Sequence, residues 1–340
     1  MLQAVAWPWY GMENRGTFFP GTPAMSTRKK TLLFVVPVNW APLWEGQIQA
    51  TASDLIVKVQ GRDEYTPTDV DYALSFRPPP GLFKTLPNLK AVFSLGAGVD
   101  GFLLDADYPR RVPLVRFINK WLSLEMAQYT VLHTLMHHRQ QRMFDAFQKS
   151  RQWRQGIPQR KTADTRVGIL GLGEIGRLAG ERLRDLGFPV AGWSRTKKHV
   201  PGIESFAGVG DLKPFLARSD ILICLLPLTP ETRGILNAEA FATMPVGAAV
   251  INAARGGHLV ERDLIAALDS NHLAGATLDV FETEPLPQDN PLWDHPKVTV
   301  TPHVAGVSDP REAAHFVLDG IGRIERGEKP EGVVDFDLGY

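Results

Sequence analysis

The 340-residue sequence lacks several features that mark particular classes of protein. It has a single cysteine, so no disulfide can form within the chain. Its 37 basic and 37 acidic residues cancel, which argues against nucleic acid or an anionic membrane surface as a partner. No apolar run approaches the roughly 18 residues of a membrane span. We therefore expect a cytoplasmic globular protein that is long enough for two domains.

Two further absences concern the cysteine and the N-terminal segment. Cys224 lies in the apolar run 221–226, where a buried inert thiol is more common than a nucleophile. Residues 1–30 show no apolar period and no basic start before an apolar core, which argues against a secretory signal. We expect a loose extension there, with Met25 as a candidate natural start.

Three glycines follow a short apolar strand at residues 167–170. Gly171, Gly173 and Gly176 give the G-x-G-x-x-G spacing at the start of a helical pattern, as in dinucleotide-binding βαβ units. The first glycine allows the tight turn, the second leaves no side chain between backbone and pyrophosphate, and the third lets helix and strand pack closely. The alternatives are an ordinary turn or a fold that binds flavin or S-adenosylmethionine, but the context favours a dinucleotide.

The second strand of this unit, residues 189–193, ends in a basic segment. NAD sites usually place an acid there, about 20 residues after the glycines, to bond the ribose 2′-hydroxyl. This chain has Ser194, Arg195, Thr196 and Lys197 instead, and a guanidinium can hold a 2′-phosphate as a fork. We predict that NADP(H) is preferred and that NAD(H) is possible. The alternative is a solvated basic loop.

Short apolar runs alternate with helical or polar segments along the whole chain. The other predicted strands are residues 31–36, 55–59, 72–76, 91–95, 113–117, 221–225, 248–252, 275–279 and 297–301. Predicted helices cover residues 174–186 and 261–270, and one long helix covers about 122–150. Such alternation predicts an α/β fold with two doubly wound parallel-sheet domains.

The long predicted helix carries two histidines four residues apart. His133 and His137 are spaced as metal ligands could be, but no third ligand is evident, so we expect no metal site. We interpret residues 137–141 as a solvated face.

A second glycine-rich turn follows the predicted strand 91–95. The backbone N–H groups around Gly96, Ala97 and Gly98 could form an anion-binding nest. A plain turn explains this segment equally well.

Arg255, Glu284 and His303 each come shortly after a predicted strand of the second domain. Ligands bind outside the carboxyl ends of such strands, so we expect one site built from three loops. Each residue also has a simpler explanation: an arginine that caps a turn, a glutamate in solvent, and a histidine bonded in the core.

Beside a nicotinamide, these three side chains supply what reduction of a carbonyl requires. Arg255 would hold a substrate carboxylate bidentately and polarise the carbonyl. His303 would give the developing alkoxide its proton. Glu284, against the far ring nitrogen, would favour the imidazolium and fix the ring. The predicted substrate is therefore a 2-oxo acid.

Four segments of the chain resemble the D-isomer-specific 2-hydroxyacid dehydrogenase family. They are the first glycine-rich turn and residues 252–256 (NAARG), 278–286 (LDVFETEPL) and 301–305 (TPHVA). Segments 96–100, 193–202, 204–208 and 338–340 resemble, more narrowly, its glyoxylate/hydroxypyruvate reductase A group. The similarity spans about residues 31–340.

The resemblance implies a set of site residues. By this resemblance, Arg255, Glu284 and His303 would be the catalytic residues. The backbone of Ala97 and Gly98 would bind the substrate carboxylate, and Arg255 and His303 would also contact the substrate. The cofactor residues that it implies are Gly171, Gly173, Glu174, Ile175, Gly176, Ser194, Arg195, Thr196, Lys197, Pro227, Ala253 and Asp279. Among these, Ala253 and Asp279 would orient the nicotinamide amide.

The resemblance also implies NADPH-dependent reduction of glyoxylate and hydroxypyruvate. By this resemblance a flavodoxin-like substrate domain would be residues 31–122 plus 308–340, and a Rossmann NAD(P)-binding domain would be residues 123–307. Two subunits would pair through this cofactor domain. The alternatives are a reductase of a bulkier 2-oxo acid and a non-catalytic NAD(P)-sensing protein of the same fold.

The chain departs from the family pattern before the long helix. Related reductases often carry an acid there, whereas this sequence has Asn119, Lys120 and Trp121. Trp40 and Trp44 are candidates for the substrate side, although core packing explains tryptophans as well.

Overall fold

The computed structural model of the chain describes residues 28–118 and 120–337. The predicted N-terminal extension with Met25 lies outside the described residues, apart from residues 28–30, and so do Asn119 and the C-terminal segment 338–340.

The described strands form two sheets. Those of the first sheet are β1 (Thr31–Val35), β2 (Ile56–Val59), β3 (Val70–Ser75), β4 (Ala91–Ser94) and β5 (Leu114–Arg116). Those of the second sheet are β6 (Val167–Leu170), β7 (Val190–Ser194), β8 (Glu204–Ala207), β9 (Ile221–Cys224), β10 (Ala248–Asn252), β11 (Leu273–Leu278) and β12 (Val298–Val300). The α-helices are α1 (Ala41–Thr51), α2 (Asp100–Leu103), α3 (Lys120–His138), α4 (Gln141–Lys149), α5 (Glu174–Asp185), α6 (Leu212–Ala217), α7 (Ala238–Thr243), α8 (Glu261–Asp269) and α9 (Pro310–Glu325).

The first sheet is parallel throughout, in the order β2-β1-β3-β4-β5, which is the flavodoxin-like order. Every residue of β1, β3 and β4 is buried. Alternate side chains enter the cores on its two faces: Phe34 and Tyr72 pack on one side, and Leu33 and Ala73 on the other. Burial of each large apolar side chain contributes ~1.5–3 kcal/mol, and burial on both faces explains why these strands read as continuous apolar runs.

The second sheet is also parallel, in the order β12-β11-β10-β9-β6-β7-β8. The order reverses between β6 and β9, as in the Rossmann fold, and a seventh strand extends it. The prediction of two parallel-sheet α/β units is therefore confirmed. Because all neighbours are parallel, the carboxyl ends of β6, β7, β9, β10, β11 and β12 lie along one edge.

The last helix, α9, returns to the first sheet. The Asp309 carboxylate accepts from the backbone N–H groups of Arg311 and Glu312 and caps the helix. Its apolar face, with Val317 and Ile321, lies in the core shared with α1 and the first sheet. The C-terminal part of the chain thus completes the core begun by the N-terminal strands.

The single long helix predicted over residues 122–150 is wrong, because two helices occupy this segment. Gln140 adopts a left-handed conformation, φ 54°, between α3 and α4. After this break, the Arg142 Nε donates to the Pro296 carbonyl at 2.6 Å, beside β12. These partners are distant in sequence, so helical periodicity alone does not reveal the break.

The predicted solvated face at residues 137–141 is also wrong in part. His137 is half-buried, with Nε2 3.0 Å from Thr277 Oγ1, and burial is the main cause that lowers its pKa to about 4. His138 Nδ1 lies 3.2 Å from the hydroxyl of Thr165. The two rings therefore join α3 to the second sheet.

Strand β8 has no counterpart among the predicted strands. It pairs with β7 at the sheet edge, and its residues are exposed or half-buried. An edge strand of this kind carries no continuous apolar run. Within residues 28–118 and 120–337, no helix has the length and apolar character that a bilayer crossing requires.

Candidate active site

A cavity of about 460 Å³ opens between the carboxyl ends of the two sheets. The first sheet and its loops contribute Phe76, Arg77, Ser94, Gly98 and Asp100 to its lining, and the loops of the second sheet contribute Arg255, Glu284 and His303. The three ionisable residues that follow separate strands therefore share one cavity.

Arg255 directs its guanidinium across this cavity toward the first sheet. Its Nε donates to Asp100 Oδ1 at 2.8 Å, and its Nη1 donates to the Ala254 carbonyl at 2.7 Å. The guanidinium also lies against Gly98, where an added β-carbon would be 1.5 Å from Nη2. Arg255 can reach this position because Gly98 has no side chain. A carboxylate that lay beside them in the cavity would meet a charged fork.

Glu284 and His303 form a hydrogen-bonded pair. His303 Nδ1 is 2.8 Å from Glu284 Oε2, and since a carboxylate only accepts, this nitrogen carries the proton. Burial raises the pKa of Glu284. Hydrogen bonds from His303, the Phe281 backbone N–H and Arg77, with the charge on His303, outweigh burial and hold that pKa at about 2. Glu284 is therefore ionised at any working pH, and His303 Nε2 is left to serve a ligand.

The loop that carries His303 is fixed by Asp279. His303 has a left-handed backbone, φ 57°, and its N–H donates to the Asp279 carbonyl at 2.8 Å. The Asp279 carboxylate is almost fully buried and accepts from Thr301 Oγ1 at 2.6 Å and from the backbone N–H groups of Val304 and Ala305 at 2.9 Å each. This carboxylate thus holds the loop in shape. Its role toward the nicotinamide amide stays a prediction.

The glycine-rich turn after β4 is tied by its own serine. Ser94 Oγ donates to the Gly96 carbonyl at 3.1 Å and accepts from the Gly96 N–H at 3.3 Å. Ala97 is half-buried, and Gly98 is exposed to the cavity. The anion-binding role of this turn stays a prediction.

The turn between β6 and α5 has the shape that a dinucleotide requires. Gly171 has φ 104°, and Gly173 caps α5 with no atom within 4 Å of the place where its β-carbon would be. A β-carbon on Gly176 would lie 1.8 Å from the Gly171 carbonyl oxygen, so helix and turn meet only through glycine. Glu174 and Ile175 form the first turn of α5, whose N-terminus can face an anion.

The other predicted cofactor residues lie near the same sheet edge, at the end of β7 or after β7, β9 and β10. They are Ser194, Arg195, Thr196, Lys197, Pro227 and Ala253. Ser194 is buried and its hydroxyl donates to the Thr196 carbonyl at 2.9 Å, while residues 195–197 are exposed. The segment therefore offers cations and no carboxylate beside the end of β7, as a 2′-phosphate requires.

Two residues that line the cavity and one that supports Arg255 from behind were not predicted from the sequence. Asp100 follows the second glycine-rich turn, but its partner Arg255 is 155 positions away, so no local pattern marks the pair. Arg77 has only its place after β3 to suggest a role. His258 is fully buried, with Nδ1 3.1 Å from the Arg255 carbonyl and Nε2 3.2 Å from the Pro227 carbonyl. Nothing in the sequence marks it.

Trp40 and Trp44, the two tryptophans considered for the substrate side, lie in different surroundings. Trp44 is buried in the core of the first sheet. Trp40 is 42% exposed, and its ring centroid is 5.4 Å from that of Phe76, whose ring meets the His303 ring edge-on at 6.4 Å. Of the two, Trp40 is the one that reaches the rim of the cavity.

Cys224 and His133 lie in packed surroundings. Cys224 is fully buried, and burial raises the pKa of its thiol to about 12, as expected for an inert thiol. The His133 ring is buried 4.2 Å from the Tyr129 ring, centroid to centroid. In the part of the chain that the structure describes, no three His, Cys, Asp or Glu side chains are grouped to hold a metal ion.

A family model described as the NAD binding domain of D-isomer specific 2-hydroxyacid dehydrogenases matches residues 131–305. The chain is 44% identical over 275 residues to glyoxylate/hydroxypyruvate reductase A of Serratia proteamaculans, covering 79% of this chain and 88% of that protein. It is 40% identical over 315 residues to the protein of the same name from Yersinia enterocolitica, covering 91% and 99%.

Solved structures give the same picture. A D-isomer specific 2-hydroxyacid dehydrogenase from Xanthobacter autotrophicus Py2, in complex with NADPH and MES, matches with a TM-score of 0.84 at 44% identity, over 92% of this chain and all of that one. An NADPH-dependent glyoxylate/hydroxypyruvate reductase from Sinorhizobium meliloti, in complex with NADP and sulfate, matches with a TM-score of 0.83 at 40% identity over the same shares.

Proposed function

Because the chain belongs to the D-isomer specific 2-hydroxyacid dehydrogenase family, we propose that it reduces small 2-oxo acids to 2-hydroxy acids with NADPH. Glyoxylate and hydroxypyruvate, which name its relatives, are the leading substrates. The observation that carries the proposal is the single cavity in which Arg255 and the Glu284–His303 pair face Gly98.

Substrate binding begins with the carboxylate. The Arg255 guanidinium and the N–H groups of the Ala97–Gly98 turn hold it, and Asp100 keeps the guanidinium aimed by accepting from its Nε. The same guanidinium polarises the keto oxygen and stabilises the negative charge that develops there. Two fixed points on a small substrate set its reacting carbon in one orientation.

His303 completes the reduction as the proton donor. When bound, the nicotinamide supplies a hydride to the keto carbon. His303 Nε2 then protonates the oxygen, which prevents a free alkoxide. Glu284 accepts from Nδ1, so it stabilises the imidazolium before transfer and keeps the correct tautomer afterwards.

The cofactor would be held by two segments of the second sheet. Gly171, Gly173 and Gly176 leave room for the pyrophosphate at the start of α5, and the segment after β7 takes the 2′-phosphate. Arg195 would hold that phosphate with its guanidinium fork, and Lys197 would add a second positive charge. NADPH is therefore favoured over NADH, and NADH use remains possible at lower affinity.

The domain boundaries we propose are residues 31–122 plus 308–340 for the substrate domain and 123–307 for the cofactor domain. The packing of α9 against α1 supports the return of the C-terminal part to the first domain. The cavity between the sheets is then a cleft between domains, which closes on substrate and excludes water.

We also propose a homodimer that forms through the cofactor domain. Exposed apolar side chains on this domain support it: Leu132 of α3 is 54% exposed, and Trp153, after α4, is 88% exposed. Light scattering at several protein concentrations tests this, and a monomer at every concentration would contradict it. A cytoplasmic location stays a prediction from the sequence.

A spectrophotometric panel tests the proposed activity. NADPH oxidation is followed with glyoxylate, hydroxypyruvate and bulkier 2-oxo acids, and each is repeated with NADH. Fast turnover of the two small acids with NADPH supports the proposal. Preference for a bulky acid indicates the alternative reductase, and tight NADPH binding without turnover of any acid indicates a cofactor sensor.

A further inference from the structure

The Glu284 carboxylate is shared between the two halves of the cleft. Oε1 accepts from the Phe281 backbone N–H at 3.0 Å. Oε2 accepts from His303 Nδ1 at 2.8 Å and also from Arg77 Nη2 at 2.7 Å. Arg77 follows β3 of the first sheet, whereas Glu284 and His303 belong to loops of the second. The carboxylate that supports the proton donor is therefore bound by a cation from the opposite sheet.

Arg77 is held in an unfavourable backbone conformation. Its φ is 53°, in the left-handed region, and Pro78 follows it, which disfavours helical backbone at this position. Such strain persists where the surroundings fix it, and it clusters at functional sites. Here the guanidinium lies over the Phe76 ring, 5.4 Å from its centroid, and that ring meets His303 edge-on. The turn at residues 76–77 therefore contacts both members of the Glu284–His303 pair.

The two other arginines that line this cavity each pair with one carboxylate. In the same cavity Arg255 pairs with Asp100, and Arg233 pairs with Glu282 at 3.1 Å. Only the Glu284 carboxylate, among the ion pairs of this cavity that the structure describes, lies between two cationic partners when His303 is protonated. Removal of Arg77 would leave His303 as the one cationic partner of this carboxylate among the described residues.

We propose that Arg77 is a positioning residue for the reduction: it shares Glu284 Oε2 with His303 and thereby makes the imidazolium a readier proton donor. This inference rests on the proposed function. Glu284 alone would hold the imidazolium strongly and slow its proton transfer. A guanidinium on the same oxygen offsets part of that attraction and also fixes the carboxylate against the ring.

The test is the pH profile of kcat/KM for glyoxylate at saturating NADPH, from about pH 5 to about pH 10. Two cations on one carboxylate oxygen lie about 4–5 Å apart, so Arg77→Met should move the alkaline limb of the profile upward by about 0.5–1 pH unit. The plateau should fall by about 5–20-fold, because the acid transfers its proton less readily. Arg77→Lys keeps a positive charge and should return the limb toward that of the unmodified protein.

Arg233→Met is the matched control. Arg233 and Arg77 have equally exposed side chains, both 50%, and both line the cavity. The partner of Arg233, however, is Glu282. The alkaline limb of the pH profile of Arg233→Met should therefore coincide with that of the unmodified protein, even if its KM changes.

Three results would overturn the inference. The first is that the alkaline limb of the kcat/KM profile lies at the same pH in Arg77→Met as in the unmodified protein. The second is that Arg233→Met shifts this limb by as much as Arg77→Met does. The third is a raised KM with no change in the limb, which would make Arg77 a direct substrate contact. NADPH binding measured by fluorescence confirms that each variant is folded. If the unmodified protein itself fails to turn over any 2-oxo acid, the proposed function fails, and this outcome is distinct from the other three.

Discussion

Replacing Gly98 with alanine tests the geometry of the carboxylate site more sharply than removing a charge. The new β-carbon would lie 1.5 Å from Arg255 Nη2 and 2.4 Å from Cζ. Ordinary contact requires about 3.5 Å, so the guanidinium would have to move by about 2 Å. Gly98 is outside the left-handed region, and the clashing atoms end a flexible side chain. The fold should therefore survive while Arg255 is displaced.

The displacement breaks the contacts that aim Arg255. Its hydrogen bonds to Asp100 at 2.8 Å and to the Ala254 carbonyl at 2.7 Å cannot both survive a movement of that size. A misplacement of about 1 Å in a reacting group can cost roughly 10²-fold in rate. We expect Gly98→Ala to lower kcat/KM for glyoxylate by about 10²–10³-fold, or roughly 3–4 kcal/mol of transition-state stabilisation.

The assay is steady-state NADPH oxidation, with NADPH binding and urea denaturation as folding controls. Gly96→Ala is the matched variant, because its β-carbon would meet nothing closer than the Gly98 nitrogen at 4.0 Å. It should lose far less activity. Equal losses in the two variants, or an unchanged kcat/KM in Gly98→Ala, would refute the assignment of Arg255 and Gly98 to one carboxylate site.

Four further predictions follow from the same geometry. His303→Asn should lower reduction by about 10²–10⁴-fold while NADPH still binds, because the asparagine amide is far too weak an acid to protonate the alkoxide; unchanged turnover would reject His303 as the donor. Arg195→Ala should weaken NADPH by about 10–100-fold and NADH far less; equal losses in titrations of both cofactors would show that Arg195 does not contact the 2′-phosphate. The pKa of Glu284 is lowered to about 2, so its stabilisation is complete above its ordinary range near pH 4.5 and is lost as pH falls toward 2. On acidification, the free energy of unfolding of the unmodified protein should therefore fall by up to about 3 kcal/mol more than that of Glu284→Gln. Equal losses in urea denaturation of the two proteins over this pH range would disprove this. Asp279→Asn should cost about 1.5–3 kcal/mol in urea denaturation, because the buried carboxylate accepts from two backbone N–H groups and a hydroxyl; a neutral effect would mean that the His303 loop holds its shape without it.

Much of the fold could be predicted because parallel strands covered on both faces are apolar along their whole length. Residues 221–224 are fully apolar and form β9 close to the predicted bounds. The edge strand β8 lacks that pattern, and the helix that follows the break at Gln140 contacts Pro296, just before β12. Elements defined by tertiary contacts rather than by local period were the ones that the sequence did not reveal.

The residues of the candidate site also divide into those that a local sequence pattern marks and those that only tertiary contacts define. Arg255, Glu284 and His303 could be found because each comes after a strand of one parallel sheet, and the carboxyl ends of these strands share an edge. Asp100 and Arg77 could not be assigned, because their partners come from the opposite sheet. Arg255 is 155 positions from Asp100, and Glu284 is 207 positions from Arg77. Such pairs depend on how the two sheets face each other, which no local pattern encodes.

A crystal structure of the protein with NADPH and oxamate, an unreactive analogue of glyoxylate, tests the central claim most directly. We expect the oxamate carboxylate in the cavity beside the Arg255 guanidinium and the backbone of the Ala97–Gly98 turn, with its amide carbonyl oxygen about 3 Å from His303 Nε2. Oxamate bound away from Arg255, or a His303 ring turned out of reach of that oxygen, would contradict it.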